Sequence, residues 1–170
     1  KSVQGIYVPY WLYDVSSEGT AQAHATKVRS YTRGDYIYTE TSHFNIFRRA
    51  KLNYVHVPAD ASEKMNDTIM NFLEPYDYRE LQKFQMPFLA GFSADKYSYT
   101  AEQMYGRINN RVDGFVKDYI RGTVSGYTTV TYQSVQVNSE MKHADYTMLP
   151  IWLFSYDYKD AEHMFIMNGQ

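Results

Sequence analysis

Hydrophobic and polar residues alternate one by one along the early part of the chain and again along its last part. This alternation predicts β-strands that pack one face and leave the other in water. The predicted strands cover 5–15, 20–31, 35–48, 51–57, 128–137, 142–154 and 161–167. Polar clusters with turn-forming residues predict the connections at 16–19, 48–51, 138–140 and 158–160.

The middle of the chain changes to apolar residues spaced three and four apart, the period of an amphipathic helix. The clearest helix is predicted over 101–121. Thr100 and Gln103 form a reciprocal capping pattern at its start, and Arg121 followed by Gly122 ends it. Its predicted buried stripe is Met104, Ile108, Val112, Phe115 and Tyr119.

Two shorter helices are predicted before the long one. The first, over 62–73, follows a capping residue and has its apolar positions at Met65, Ile69, Phe72 and Leu73. The second, over 77–84, is opened by Asp77 with Glu80 three residues later.

The order of four strands, helices and three strands predicts an α+β fold. We expect antiparallel sheet built from two strand blocks, about 5–57 and about 128–167, covered by a central helical block, about 62–121. A length of 170 residues favours one domain over 1–170. Because the chain opens on Lys1 without an initiator methionine, we expect a piece excised from a longer protein.

The two tryptophans stand in similar phrases, Pro9-Tyr10-Trp11-Leu12 and Pro150-Ile151-Trp152-Leu153. Because proline cannot donate to a sheet ladder, each phrase belongs at a strand start, an edge or a bulge. The repeat predicts that two equivalent strands bring the chain ends into one core. Trp11 and Trp152 are expected to be buried beside the long helix or in matched positions.

Composition narrows the classes of function. The formal net charge is −2 and there is no cysteine, which excludes disulfides, thiolate chemistry and a cysteine zinc site within the chain. No run reaches the roughly 18 to 20 apolar residues of a spanning helix, so we expect a cytoplasmic location and no membrane contact by these residues. Eighteen tyrosines favour half-buried sheet faces or a stacking surface for bases or sugars.

Residues 27–51 hold six basic side chains against two acidic ones, with aromatic rings between them. Such a face suits single-stranded nucleic acid, because cations follow the phosphates and rings stack on the bases. The candidate binding residues are Arg29, Arg33, Tyr36, Tyr38, Arg48, Arg49 and Lys51. The alternative interpretation is a solvated strand surface, balanced by the acidic stretch 60–80 within one molecule or in self-association.

No catalytic residue is assigned. The densest group of titratable side chains is Glu40, His43, His56 and Asp60. Glu40 and His43 face opposite ways along a strand, and although His43 and His56 could meet across a hairpin, no known ligand spacing supports a metal site. The junction 74–78 is interpreted as a capped corner packed by tyrosines, with a ligand site as the alternative.

Seven blocks of the sequence carry a resemblance that covers nearly the whole chain. They are Tyr38-Thr39-Glu40-Thr41-Ser42-His43-Phe44, Lys64-Met65-Asn66-Asp67, Glu74-Pro75-Tyr76-Asp77-Tyr78, Leu89-Ala90-Gly91-Phe92-Ser93-Ala94-Asp95-Lys96-Tyr97, Thr123-Val124-Ser125-Gly126-Tyr127, Leu149-Pro150-Ile151-Trp152-Leu153 and Met167-Asn168-Gly169-Gln170. Through these blocks the chain resembles the TFIIB-type zinc-ribbon-containing proteins of gut Firmicutes, some of which are labelled replication restart helicase PriA.

The resemblance implies a cysteine-rich zinc ribbon before Lys1 and hydrophobic, membrane-embedded segments after Gln170. Zinc is therefore expected only in the absent ribbon, and a membrane tether only in the full-length protein. The resemblance implies no activity and no role for any matching residue. The helicase label does not fit this chain, which has no Gly-x-x-x-x-Gly-Lys-Ser/Thr phosphate loop and no room for two motor domains.

We therefore expect a non-catalytic accessory, interaction or sensing domain with a protein partner or self-association, and no cofactor within the chain. One alternative is a nucleic-acid-binding domain that uses the basic aromatic face at 27–51. The second alternative is a hydrolase with an unrecognised catalytic site.

Overall fold

A computed structural model of the protein describes residues 2–63, 70, 73–159 and 161–170, without the side chains of residues 158, 161 and 162. Strand makes up 61% of the structure and helix 19%. The strands are β1 (Ser2–Arg33), β2 (Tyr36–Asp60), β3 (Phe92–Ala94), β4 (Thr129–Tyr158) and β5 (Ala161–Asn168), and the long helix is α1 (Ala101–Gly122).

The five strands form one mostly antiparallel sheet in the order β2-β1-β4-β5. β3 pairs in parallel with the start of β1, where Gly5 lies opposite Phe92. β4 and β5 form an antiparallel hairpin that turns at Lys159. This hairpin confirms the predicted strand over 161–167.

β1, β2 and β4 each run unbroken through one predicted turn. The predictions that are wrong are the turns at 16–19, 48–51 and 138–140. Their polar residues are positions within long strands. Between β1 and β2 the chain turns at Gly34, where φ is +62° and a glycine adopts the left-handed conformation without steric cost.

Gly19 explains the polar cluster that was mistaken for a turn. It lies at a buried position of β1. A Cβ atom at Gly19 would lie 2.6 Å from both the Val116 Cγ1 and the Ile120 Cδ1 of α1. The glycine therefore lets the helix approach the strand closely, which is a packing role.

α1 confirms the predicted helix and its cap. The Thr100 amide donates to the Gln103 Oε1 at 2.8 Å, and the Gln103 amide donates to the Thr100 Oγ1 at 3.3 Å. Each side chain thus satisfies an amide that the first turn of the helix leaves without a backbone partner.

The buried stripe of α1 differs from the prediction at its end. Val116 and Ile120 are buried, whereas Phe115 and Tyr119 are 41% and 52% exposed. The buried positions continue in steps of four from Ile108, which keeps them on one face of the helix. Neighbouring apolar residues at 115 and 116 left the sequence pattern unable to choose between them.

The predicted fold class is wrong in its helical layer. Within 77–84 the structure has one 3-10 turn, Tyr78–Glu80, and a second covers Met86–Leu89. Short segments hold an α-helix only where tertiary packing buries one face, and these side chains are largely exposed. The predicted helix over 62–73 lies almost wholly outside the described residues. The described part is dominated by the sheet, and a helical block over 62–121 that covers the sheet is not shown.

The chain divides into two compact units. Unit one comprises Lys1–Asp14, Val55–Ile108 and His143–Gln170, and unit two comprises Val15–Tyr54 and Asn109–Lys142. The core of unit one contains Val8, Tyr10, Met70, Leu73, Tyr76, Leu149 and Ile151. A cluster in unit two consists of Ala23, Ala25 and Ile46, packed against Val124, Tyr127, Val130 and Tyr132. A single domain over 1–170 stays a prediction.

Both ends of the chain contribute to the core of unit one. Val8 and Tyr10 come from β1, and Leu149 and Ile151 come from β4. These residues flank or belong to the repeated proline and tryptophan phrases. The prediction that the two phrases meet in one core is therefore confirmed.

The two tryptophans are half-buried, so their predicted burial is confirmed only in part. The Trp11 Nε1 donates to the backbone oxygen of Tyr99 at 2.8 Å. The Trp152 ring packs on Phe92, with ring centroids 5.1 Å apart. The Trp11 indole thus contacts the loop before α1, and the Trp152 indole contacts strand β3 of the sheet.

We expect Gly19→Ala to lower the free energy of unfolding by about 1–3 kcal/mol, because the new methyl group overlaps two buried side chains of α1. Gly114→Ala is the matched control, because a Cβ atom at Gly114 would meet nothing within 4 Å and alanine favours a helix interior by roughly 0.5–1 kcal/mol. Urea unfolding of both variants measures the two effects. A Gly19→Ala variant as stable as the wild type, or more stable, would contradict the packing role of Gly19.

A second prediction concerns Tyr13, which is fully buried and donates its hydroxyl to the backbone oxygen of Ala101 at 2.6 Å. Burial, together with the charge of Glu102, raises the pKa of Tyr13 from 10.0 to about 12. Between these values the unfolded chain has lost the proton that the folded chain keeps, so stability falls as pH rises from about 10 to about 12.

Tyr13→Phe should therefore lower the free energy of unfolding by about 1 kcal/mol at neutral pH, because the hydrogen bond is lost. It should also make the fall of stability between about pH 10 and about pH 12 less steep. Urea unfolding at a series of pH values checks both effects. Tyr36→Phe, at a site 71% exposed, serves as the control and should leave the decline unchanged. Identical declines in wild type and Tyr13→Phe would refute the assignment.

Candidate binding surfaces

The β1–β2 hairpin ends in an arm, residues 27–45, in which every side chain is exposed. At its base the Thr128 amide donates to the Thr26 oxygen at 2.7 Å, and the Val28 amide donates to the Thr128 Oγ1 at 2.9 Å. Since β4 begins at Thr129, the arm beyond its base is a ribbon of two strands. An isolated two-stranded ribbon is at best marginally stable in water, which favours a role in contact with a partner.

One face of the hairpin arm carries its basic side chains and tyrosines. Tyr31 and Tyr38 stack with ring centroids 5.5 Å apart and an interplanar angle of 13°. The guanidinium carbon of Arg29 lies 5.6 Å from the centroid of the Tyr31 ring. Because side chains alternate along a strand, every second residue shares this face. This cationic face comprises Lys27, Arg29, Tyr31, Arg33, Tyr36, Tyr38, Glu40, Ser42 and Phe44.

The opposite face of the arm carries hydroxyl and apolar groups. The Ser30 and Thr39 hydroxyl oxygens lie 3.2 Å apart on it. The residues of this hydroxyl face are Val28, Ser30, Thr32, Ile37, Thr39, Thr41 and His43. The strand alternation has thus sorted the side chains of the arm by chemical type.

The seven predicted binding residues are divided by the structure. Arg29, Arg33, Tyr36 and Tyr38 share the cationic face. The other three lie in β2 beyond the arm. The sequence interpretation treated 27–51 as one surface and so combined residues that strand geometry separates.

Arg48 and Arg49 are neighbours in β2 and therefore point to opposite faces of the strand. The Arg49 Nε donates to the Glu18 carboxylate, and this hydrogen bond lowers the pKa of Glu18. Lys51 lines a shallow groove of about 310 Å³ together with Glu18 and Glu140. Carboxylates thus accompany the basic groups on that side of the strand.

The two units carry formal charges of opposite sign. Unit two contains ten basic and six acidic residues, a charge of +4. Unit one contains seven basic and thirteen acidic residues, a charge of −6. The small net charge of the whole chain therefore conceals a strong local imbalance.

His43 and His56, which could have met across a hairpin, have other neighbours. β2 does not turn between His43 and His56. The His43 Nδ1 lies 3.1 Å from the His24 Nε2, and the His56 ring packs edge-on against Tyr78 with centroids 5.5 Å apart. Among the described residues, no three histidine, aspartate or glutamate side chains form a metal-ligand group.

The junction 74–78 has the structural role that was predicted for it. Tyr76 is buried and donates its hydroxyl to the Pro150 oxygen at 3.3 Å. The Asp77 Oδ1 accepts a hydrogen bond from the Arg79 amide at 3.0 Å and so caps the 3-10 turn. The Arg79 guanidinium beside Asp77 also lowers the pKa of that carboxyl.

Unit one contains a cleft of about 850 Å³ that the sequence did not predict. Its walls come from residues 80–88, from the β4 residues 145–150 and from the chain end at 169–170. No local pattern connects these segments, so the cleft exists only in the folded chain. The one local signal is the set of apolar residues between 81 and 88, all of which the structure leaves exposed.

These features describe a sheet-dominated protein with two candidate binding surfaces, the cationic face and the cleft. No family model matches the chain, and no solved structure matches it. Over all 170 residues the chain is 46% identical to a protein of Bacillus subtilis (strain 168) described as "Uncharacterized protein YdjG". The chain spans about half the length of that relative.

The relative's description mentions neither a zinc ribbon nor a helicase, so the resemblance to that family stays a prediction. No helix in the described part of the chain is both long and apolar enough to cross a bilayer. The cytoplasmic location and the membrane tether likewise stay predictions.

Proposed function

We propose that this chain is a non-catalytic binding module that contacts its partner through the cationic face of the hairpin arm. The observation that supports this most directly is the sorting of side chains on an arm in which every side chain is exposed. Exposed rings and guanidinium groups on one face of a projecting ribbon resemble a contact surface more than a structural element.

The partner that best complements this face is single-stranded nucleic acid. Lys27, Arg29 and Arg33 are spaced along β1 so that they can follow a line of phosphates. The Tyr31 and Tyr38 pair and the exposed Tyr36 offer flat surfaces for bases. The charge of +4 on unit two adds a long-range attraction.

The experiment is fluorescence anisotropy with a labelled oligothymidine at several salt concentrations. Three phosphate contacts predict a log–log dependence of affinity on salt with a slope of about −2, since each contact to a single strand contributes about −0.7. Arg29→Ala with Arg33→Ala should reduce the slope to about −0.7. Tyr31→Ala with Tyr38→Ala should weaken binding at least fivefold, because a stacked base contributes about 1–3 kcal/mol.

Thr32→Ala with Thr39→Ala on the hydroxyl face is the matched control and should bind as the wild type does. Affinity that is independent of salt, or an arginine variant that binds like the wild type, would overturn the proposal. Equal losses in the cationic-face and hydroxyl-face variants would also contradict it, because they would indicate damage to the arm as a whole.

A second candidate function, self-association, is favoured by the edge strand β5. In the described sheet β5 is the last strand of the order β2-β1-β4-β5 and pairs with β4 on one side, so its other side is a sheet edge. Its residues Met164, Phe165 and Met167 are 66%, 57% and 53% exposed. An exposed apolar edge strand can accept the equivalent strand of a second copy through backbone hydrogen bonds.

If β5 mediates a dimer, sedimentation velocity should show a concentration-dependent dimer that Phe165→Lys with Met167→Lys converts to monomer. Charged side chains on an edge strand disfavour edge-to-edge pairing. Met86→Lys, at a site 71% exposed but outside the sheet, is the control and should still dimerise. A wild-type protein that stays monomeric at all concentrations would exclude this candidate.

A further inference from the structure

We propose that the cleft of unit one binds an apolar cation, a molecule with an alkyl or aromatic body and an ammonium or guanidinium head. This inference concerns a different unit and a ligand of opposite charge from the proposed nucleic-acid surface. It does not depend on that proposal.

The size and the lining of the cleft suit the apolar body of such a ligand. Its volume of about 850 Å³ lies within the roughly 300–1,000 Å³ of small-molecule sites. The apolar side chains of the lining are Leu81, Phe84, Phe88, Met148, Leu149 and Pro150. These come from two separate walls, so a ligand between them would contact apolar groups on both sides.

One wall of the cleft is the segment 80–88. Hydrogen bonds hold the chain just before this segment, and its apolar side chains are exposed to solvent. The Asp77 amide donates to the Gln170 Oε1 at 2.7 Å, and the Gln170 Nε2 donates to the Asp77 oxygen at 3.3 Å. Beyond this anchor Leu81, Phe84 and Phe88 are 38%, 52% and 37% exposed. Covering such surface is favourable by about 25 cal/mol per Å², which provides a driving force for binding.

The charges around the cleft select a cation. Glu80 and Asp145 contribute carboxylates to the lining, and no lysine or arginine is among the described lining residues. Arg79, next to Glu80, is held by the Asp77 carboxylate at 2.6 Å. The charge of −6 on unit one repels an anionic head and attracts a cationic one.

Two further groups determine how a cationic head would be held. Tyr7 and Tyr146 line the cleft, and their ring faces attract cations. The His143 Nε2 lies 2.8 Å from the Asp145 Oδ1, so Asp145 already has a neighbour that is basic when protonated. Glu80 is therefore the principal carboxylate for a ligand in this cleft.

The test compares three ligands with the same alkyl chain and different heads: decyltrimethylammonium, decyl maltoside and decyl sulfate. Isothermal titration calorimetry of the whole chain below the micelle concentration measures each affinity. We expect saturable binding of the ammonium compound, at least tenfold tighter than the sulfate, with the maltoside between them. The shared chain means that the difference reports the head group alone.

Two sets of variants assign the effect to the cleft. Glu80→Gln with Asp145→Asn should bring the three affinities to within about threefold of each other, because both carboxylates that attract the ammonium head are then neutral. Phe84→Ser with Phe88→Ser should weaken all three ligands. Val3→Ser, at an exposed apolar residue of unit one outside the cleft, is the control and should change none.

Three results would overturn the proposal. They are the absence of saturable binding, equal affinities for the three heads in the wild-type protein, and retention of the cation preference in the Glu80→Gln, Asp145→Asn variant. Circular dichroism of each variant establishes that the fold is kept, so that a lost affinity reports the site. Failure here would leave the oligothymidine result on unit two unaffected.

Discussion

Side-chain alternation along β1 is the constraint on which the rest of the structure depends. Its buried hydrophobic residues change from even-numbered positions, up to Leu12, to odd-numbered positions, from Tyr13 to Ala25. β1 supplies Val8 and Tyr10 to the core of unit one, and Ala23 and Ala25 to the cluster of unit two. A register shift of one residue would exchange the buried and the solvent-exposed side chains along the strand. The contact of Gly19 with α1 depends on the same alternation, because only the inward position needs a residue without a side chain.

The same constraint produces the candidate binding chemistry. In the hairpin arm every side chain is exposed, yet the alternation continues and separates the guanidinium groups and tyrosine rings from the hydroxyl face. The cationic face is therefore a product of strand geometry acting on an apparently mixed sequence. The cleft of unit one has a different origin, since it forms between an irregular segment and the side of the sheet. The two surfaces carry opposite charge, which agrees with the opposite formal charges of the two units and with the opposite ligands proposed for them.

Features that depend on a few neighbouring residues could be predicted. The cap of α1 needs only Thr100 and Gln103 in their spacing, and both of its hydrogen bonds are present. The strand over 161–167 was likewise delimited by a local turn. The turn predicted at 16–19 was wrong, because small and polar residues occur both in turns and on the solvent-exposed face of a long strand. Of the predicted binding residues, Arg29, Arg33, Tyr36 and Tyr38 share one face, because they follow one alternation, and their role in binding stays a prediction.

What the sequence determined by itself is the periodicity of its segments: the alternation of the strands, the helix with its cap, and the concentration of basic and aromatic residues in 27–51. The tertiary structure alone decided that three strands continue through polar clusters, that Arg48 and Arg49 point apart, and that Phe115 and Tyr119 stay exposed. It also assembled the cleft. The physical reason is distance along the chain, since a contact such as that of Gly19 with Val116 joins residues whose local patterns carry no information about each other.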